Sequence, residues 1–416
     1  MATSAARPTT LFNREFILLW QGQIVSRLGN QAFTIATTLW TLEVTGSATV
    51  MGLMLTASRI ATVVLGPFAG AFVDSRPRLR IIVACDFARG ALTCALAASF
   101  WLLPAQPLVG VLFFVALMNG VLTALFNPAI ASITPDLVPE RRLATANSIQ
   151  QASLQAGTFI GQGLGGVLYR SLGAPLLFLI DGLTFLFSGV SETLIKHGDT
   201  AVSGARDVVS WAEFRRKTFD GLDYLVRRPG LRAVFLSASV INLVAMPVVV
   251  LLPIYVTDYL NATLDWYGFL LAALSAGMIV GFGVTALARP TGVSHARFMI
   301  AMFALLSLSL GGLSQVRDPW LALAIMFVSG GASGVINNLE LTLLQRTTPT
   351  EFRGRVMGLL FTASEGLAPL GMIAGGIAAD LTGRNIPLIY GVCGAIAMTT
   401  VLGLCGRGSR QLLASV

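Results

Sequence analysis

Several ionisable side chains stand inside long apolar stretches of this chain, among them Arg27, Arg59, Asp86, Arg89, Asp181, Glu340 and Glu365. Such a group near the centre of a bilayer costs about 2.5–3.5 kcal/mol on insertion scales, so it must be paired, hydrated or functional. Asp86 and Arg89 are three residues apart, hence on one helix face, where they can pair. Glu365, Asp181 and Glu340 could do proton-coupling chemistry, because a buried carboxylate takes up a proton and releases it when water or an arginine reaches it. A structural ion pair is the competing reading for each. Other chemistry is poorly served. Cys85, Cys94, Cys393 and Cys405 fall in apolar stretches without metal-binding spacing, and His197 and His295 read as lying in polar loops. No metal or cofactor is expected. There is no G-x-x-x-x-G-K-[ST] phosphate loop and no evident nucleophile–base pair, so neither an ATP-driven pump nor an enzyme is expected.

The elements that must carry these groups follow from composition. Of 416 residues, 55% are hydrophobic and 12% charged, with a mean hydropathy of +0.76. A water-facing surface needs more charge, which excludes a disordered chain, a coiled coil and a soluble enzyme. A bilayer core takes about 20 apolar residues per helix. Twelve spans are predicted, at 14–42, 48–73, 79–103, 106–132, 143–169, 173–195, 231–257, 264–288, 294–315, 319–344, 355–382 and 386–406. Met1 to Arg14 is polar and the first apolar run is long enough to span, so no cleavable signal peptide is expected. The one long connection, 196–230, is basic. Within it Ser210-Trp211-Ala212-Glu213-Phe214 opens like a capped helix, and Phe214, Leu222 and Leu225 form a partly apolar face. An amphipathic surface helix and a plain tether both fit.

With both termini placed inside, 22 of the 28 Lys and Arg residues fall in inner segments and three in outer ones. The net charge of +8 therefore reads as the positive-inside bias of a membrane protein and not as a nucleic-acid surface. Trp40, Trp101, Trp266 and Trp320 fall at outer span ends, where an aromatic belt is expected. A shift of 211 residues places Gly120 on Gly331, Asn127 on Asn338 and Glu140 on Glu351. The expected organisation is an all-α integral membrane protein: a six-helix half over 1–195, a linker over 196–230 and a second, pseudo-symmetric six-helix half over 231–416. Repeats of this kind belong to transporters with substrate sites at the midplane.

At the second inner turn, Gly70-Ala-Phe-Val-Asp74-Ser75-Arg76-Pro77-Arg78-Leu-Arg80 resembles the G-x-x-x-D-R-x-G-R-R loop signature of the major facilitator superfamily, with Ser75 and Pro77 departing from it. The resemblance implies that Gly70 allows close helix contact. It also implies a gate latch in which Asp74 caps a neighbouring helix or pairs with Arg78. Phe12-Asn13-Arg14-Glu15-Phe16, Asp86-Phe-Ala-Arg89, Asn127-Pro128-Ala129, Leu143-Ala144-Thr145-Ala146-Asn147 and Phe178-Leu-Ile-Asp181 are similar to the drug-exporter branch that includes macrolide efflux pumps and the enterobactin exporter. The fifth span resembles the antiporter signature in its packing glycines Gly157, Gly161 and Gly165, with Gln162 where proline is expected. In this superfamily the first, fourth, seventh and tenth helices line the cavity. Carried onto this chain, that puts Arg27, Gln23, Asn30, Asn119, Asn242, Met246, Asn337 and Asn338 at the substrate. Arg27 would be a cation for an anionic group or one half of an inter-helix ion pair. Phe126, Phe185, Phe235 and Phe361 would line a pocket or pack in lipid.

The function implied is secondary active transport, with proton-coupled efflux of amphipathic organic compounds or drugs by alternating access. The setting implied is a bacterial cytoplasmic (inner) membrane, with both termini cytoplasmic. The partners implied are a small-molecule substrate, protons and the lipid bilayer. The fold usually works as a monomer. Two other readings stand beside it: an exporter of one native metabolite, siderophore-like or a lysolipid, and a membrane sensor that moves nothing.

Overall fold

Apolar runs of this length must satisfy their backbone hydrogen bonds internally, and helices do so. The computed structural model describes residues 10–74, 76–196, 227, 229–288, 292–347 and 350–404, some helical positions by backbone alone. The expected amphipathic helix of the linker lies outside these residues. The long helices are α1 (Arg14–Thr45), α2 (Ala48–Asp74), α3 (Arg78–Ser99), α4 (Ala105–Leu137), α5 (Leu143–Thr193), α6 (Pro229–Val250), α7 (Asp265–Ala288), α8 (Gly292–Gly312), α9 (Pro319–Thr347), α10 (Thr350–Leu381) and α11 (Ile386–Leu404).

Among the described residues, eight helices are long and apolar enough to cross a membrane, and a bent pair in and after α6 makes nine. The 51 residues of α5 would reach roughly 77 Å as one rod, more than twice the bilayer core. Gly173 (φ 75, ψ 171) breaks it, between the predicted fifth and sixth spans. Only glycine takes that φ without strain. α1 has the length, but Gln21, Gln23, Asn30, Gln31 and its threonines keep it too polar for the same criterion. α4 runs through Pro128 and Pro135 to Leu137, beyond its expected end at 132.

The chain divides into two compact units, residues 1–46 with 54–209, and residues 47–53 with 210–416. In the first unit α1 lies along α5. A Cβ on Gly161 would strike Gln31, and one on Gly165 would strike Ile35, so the glycine face is what admits α1. Asn13 joins two helix ends: its Oδ1 accepts from the Phe16 N–H (3.0 Å) and its Nδ2 donates to the Leu137 carbonyl (2.8 Å).

In the second unit α7 and α9 approach more closely still. Gly277 and Gly281 face the backbone at Phe327 and Gly331, while Gly330 and Gly334 face the carbonyls of Leu274 and Met278. After α6 the chain bends by 45° between Phe235–Val250 and Leu252–Tyr259. Pro247 and Pro253 flank the bend, each removing a backbone donor. The Tyr255 hydroxyl donates to the carbonyls of Leu313 and Val316, and Tyr390 donates to that of Val248, all at 2.8 Å. The Asp380 carboxylate at the end of α10 accepts from the N–H groups of Ala48 and Thr49 (3.0 Å each) and from the Ser47 hydroxyl (2.7 Å). It serves as a remote cap for the first turn of α2.

His295 departs from expectation. It lies in α8 and is 1% exposed, because Val293 and Ala296 carry the helix across the polar stretch read as a loop.

Candidate functional site

Within the first unit, polar groups from four helices gather in the interior. Asp86 and Arg89 come from α3, Asn119 and Thr123 from α4, Asp181, Ser188 and Glu192 from the second part of α5, and Gln23 from α1. Asp86, Asp181 and Glu192 are each 0% exposed and Arg89 is 7% exposed. All three carboxylates lie within electrostatic reach of the Arg89 guanidinium.

The expected contact between Asp86 and Arg89 does not form. Arg89 reaches across to α4, donating to the Thr123 hydroxyl, and its guanidinium lies over the rings of Phe126 (4.8 Å) and Phe185 (5.2 Å). The ring faces and the hydroxyl hold it away from the turn it shares with Asp86. Neither oxygen of Asp86 or of Asp181 has a hydrogen-bond partner, and one oxygen of Glu192 lacks one. The other accepts from Gln23 Nε2 (3.0 Å). Gln23, expected at the substrate, thus hydrogen-bonds into this interior cluster. Asn119, also assigned to the cavity, lies beside the cluster: Thr123 donates to its carbonyl, and its Oδ1 is buried without a partner.

Glu192 is the residue that sequence reasoning missed. It falls close to the inner end of a predicted span, where a carboxylate passes as an interfacial group. Its burial comes from Gln23 and Ser188 closing over it. Arg27, by contrast, is half-buried on α1 beside Gly157 and forms no ion pair among the described residues. Asn30 and Arg59 lie on exposed faces.

The second unit encloses a cavity of about 190 Å³ between α6, α7, α8 and α9. Asn242 and Met246 line it from α6, and Asn337 and Glu340 from α9, so four of the sequence-derived candidates meet there. Asn338 is half-buried and does not line it. Met278, Phe303 and Met326 make most of the remaining wall apolar. Glu340 is 6% exposed and its Oε1 has no hydrogen-bond partner.

At the inner turn, Arg78 pairs with Asp136 (2.9 Å) and donates to the Ser132 carbonyl (3.0 Å). Asp136 reaches Arg78 because α4 runs on to Leu137 and brings its own carboxylate there. The side chains of Asp74 and Glu365, and any Cβ contact at Gly70, lie outside the described residues.

Known proteins place the chain. It is 24% identical over 381 residues to macrolide efflux protein A of Streptococcus pyogenes, covering 89% of this chain and 91% of that one. It is 26% identical over 384 residues to the multidrug efflux pump Tap of Mycolicibacterium fortuitum, covering 89% and 90%. Its fold matches that of a bacterial homologue of the iron transporter ferroportin in an inward-facing state, with a TM-score of 0.70, 19% identity, and coverage of 96% and 100%. The family model described as Major Facilitator Superfamily matches residues 19–372, and so this chain, a transporter and not an enzyme, belongs to the Major Facilitator Superfamily.

Proposed function

We propose that this transporter exports amphipathic organic compounds in exchange for protons, with the interior cluster of the first unit holding the protons. The observation that carries the proton reading is the charge balance of that cluster. Three buried carboxylates, Asp86, Asp181 and Glu192, surround one buried guanidinium, Arg89. Fully ionised, they leave two negative charges uncompensated in a low-dielectric interior, a state that burial strongly opposes. Protons close the balance. Water reaching the cluster from one side of the membrane and then the other would load and release them. The efflux reading is supported by the similarity to macrolide efflux protein A and to Tap. In this reading the protein works as a monomer in the cytoplasmic membrane, and the excess of Lys and Arg in the expected inner segments supports placing both termini inside.

Ethidium accumulation in pump-deficient bacteria tests this reading. Cells making the protein should accumulate less dye than empty cells, and a protonophore should erase the difference. Asp181→Asn and Glu192→Gln should each abolish efflux at normal membrane levels of protein. Equal accumulation in both strains, with the protein confirmed in the membrane, would overturn it. A C-terminal reporter fusion that is active only outside the cytoplasm would overturn the orientation.

A further inference from the structure

The cavity of the second unit is built unlike the cluster of the first. Its wall is mostly thioether, aliphatic and aromatic, from Met246, Met278, Phe303 and Met326. Two buried polar atoms in it lack partners, Glu340 Oε1 and Ser329 Oγ, on residues 6% and 1% exposed. No charged side chain among the described residues acts on Glu340. A carboxyl held in an apolar chamber without an internal counter-charge either takes up a proton or is paired by a cation that enters.

The wall chemistry narrows what that counter-charge is. An inorganic cation gathers five or more oxygen ligands around one point, whereas the wall oxygens of Ser329, Ser333, Asn337 and Glu340 are strung along about 16 Å of α9, with Asn242 on α6. An ammonium clothed in alkyl or aryl groups brings its own apolar shell. It gains from the carboxylate, from the face of Phe303 and from methionines that reshape around it. Size adds a limit. At about 190 Å³ the cavity is smaller than the roughly 300–1,000 Å³ of pockets that enclose whole drug-sized ligands. It holds a head group, with the rest of the molecule left outside.

We infer that this cavity binds the cationic head of an amphipathic organic amine, with Glu340 as its ion-pair partner. The inference rests on the export reading above and assigns that reading a substrate class, lipophilic cations and not anions. It gives Glu340 a substrate role in place of a proton-carrying one.

The test is direct binding to the purified full-length protein in lipid nanodiscs, which needs no proton gradient. The probes are benzyltrimethylammonium, its uncharged isostere neopentylbenzene and the anion benzenesulfonate. The cation should bind best. Glu340→Gln should weaken it by about tenfold or more, the scale of one partly desolvated charge pair, and leave neopentylbenzene unchanged. Asp181→Asn should bind the cation like the parent protein while failing to export ethidium, which separates this inference from the coupling reading. Preference for benzenesulfonate, no binding of the cation, or full-strength cation binding by a folded Glu340→Gln protein would each overturn the inference, whether or not efflux is proton-driven.

Discussion

The interiors of the two units answer the same physical problem differently. In the first, carboxylates from α3 and α5 share one arginine, and Gln23, Ser188, Thr123 and two aromatic rings supply partial compensation. In the second, Glu340 stands in an apolar cavity with no charged neighbour among the described residues. A cluster of three carboxylates around one guanidinium is only partly compensated and can change its proton count without a ligand. A lone carboxyl is satisfied by a proton or by a cation that enters. The two interiors therefore differ in their electrostatics, although their sequences read as versions of one six-helix repeat.

The comparison breaks most visibly at the charges. Arg89→Leu should destabilise the protein by about 3–5 kcal/mol, because it strands three buried carboxylates. Glu340→Leu should leave stability unchanged or raise it, because it removes a buried charge that has no partner to strand. Thermal unfolding in detergent, with both variants beside the parent, reads the contrast. Equal losses would mean that Glu340 is held by an internal partner after all, and the two interiors would cease to differ in kind.

Helix packing sharpens the same comparison at a smaller scale. A Cβ on Gly330 meets the backbone carbonyl of Leu274, which cannot turn aside, whereas one on Gly165 meets the end of the Ile35 side chain, which can. Gly330→Ala should cost about 1–3 kcal/mol, and Gly165→Ala less than that. Gly366, whose Cβ would meet nothing within 4 Å, is the control.

The smallest expected effect is at the cap. Asp380→Ala removes three hydrogen bonds from the first turn of α2 and should cost about 0.5–2 kcal/mol, the range for lost helix caps. Hydrogen exchange of the Ala48 and Thr49 amides should rise in that variant and stay unchanged in the charge and packing variants.

Much of this architecture was legible in advance. Apolar run lengths located the helices to within a few residues, since a bilayer allows little else. The expected break between the spans 143–169 and 173–195 coincides with the non-helical Gly173. Asn242, Met246, Asn337 and Glu340 were identifiable as polar or adaptable residues on expected cavity helices. Other features depended on neighbours. Arg78 meets Asp136 because α4 outruns its apolar stretch. His295 joined a helix that its polar surroundings disguised. Glu192 drew no notice in the sequence, and it is Gln23 and Ser188 that enclose it.

The sequence by itself determined that this chain lives in a bilayer, how many apolar segments it has, which way the basic loops bias it and which side chains are too polar to be there without cause. Those properties are sums over local residues, and hydropathy and charge are additive along a chain. Only the tertiary structure decided which polar group meets which. Arg89 turning to Thr123 and away from Asp86, Gln23 bonding to Glu192, and Glu340 standing without a counter-charge among the described residues are all outcomes of side-chain direction and helix contact. The partners lie 34 positions apart for Arg89 and Thr123 and 169 for Gln23 and Glu192, distances over which local patterning carries no information.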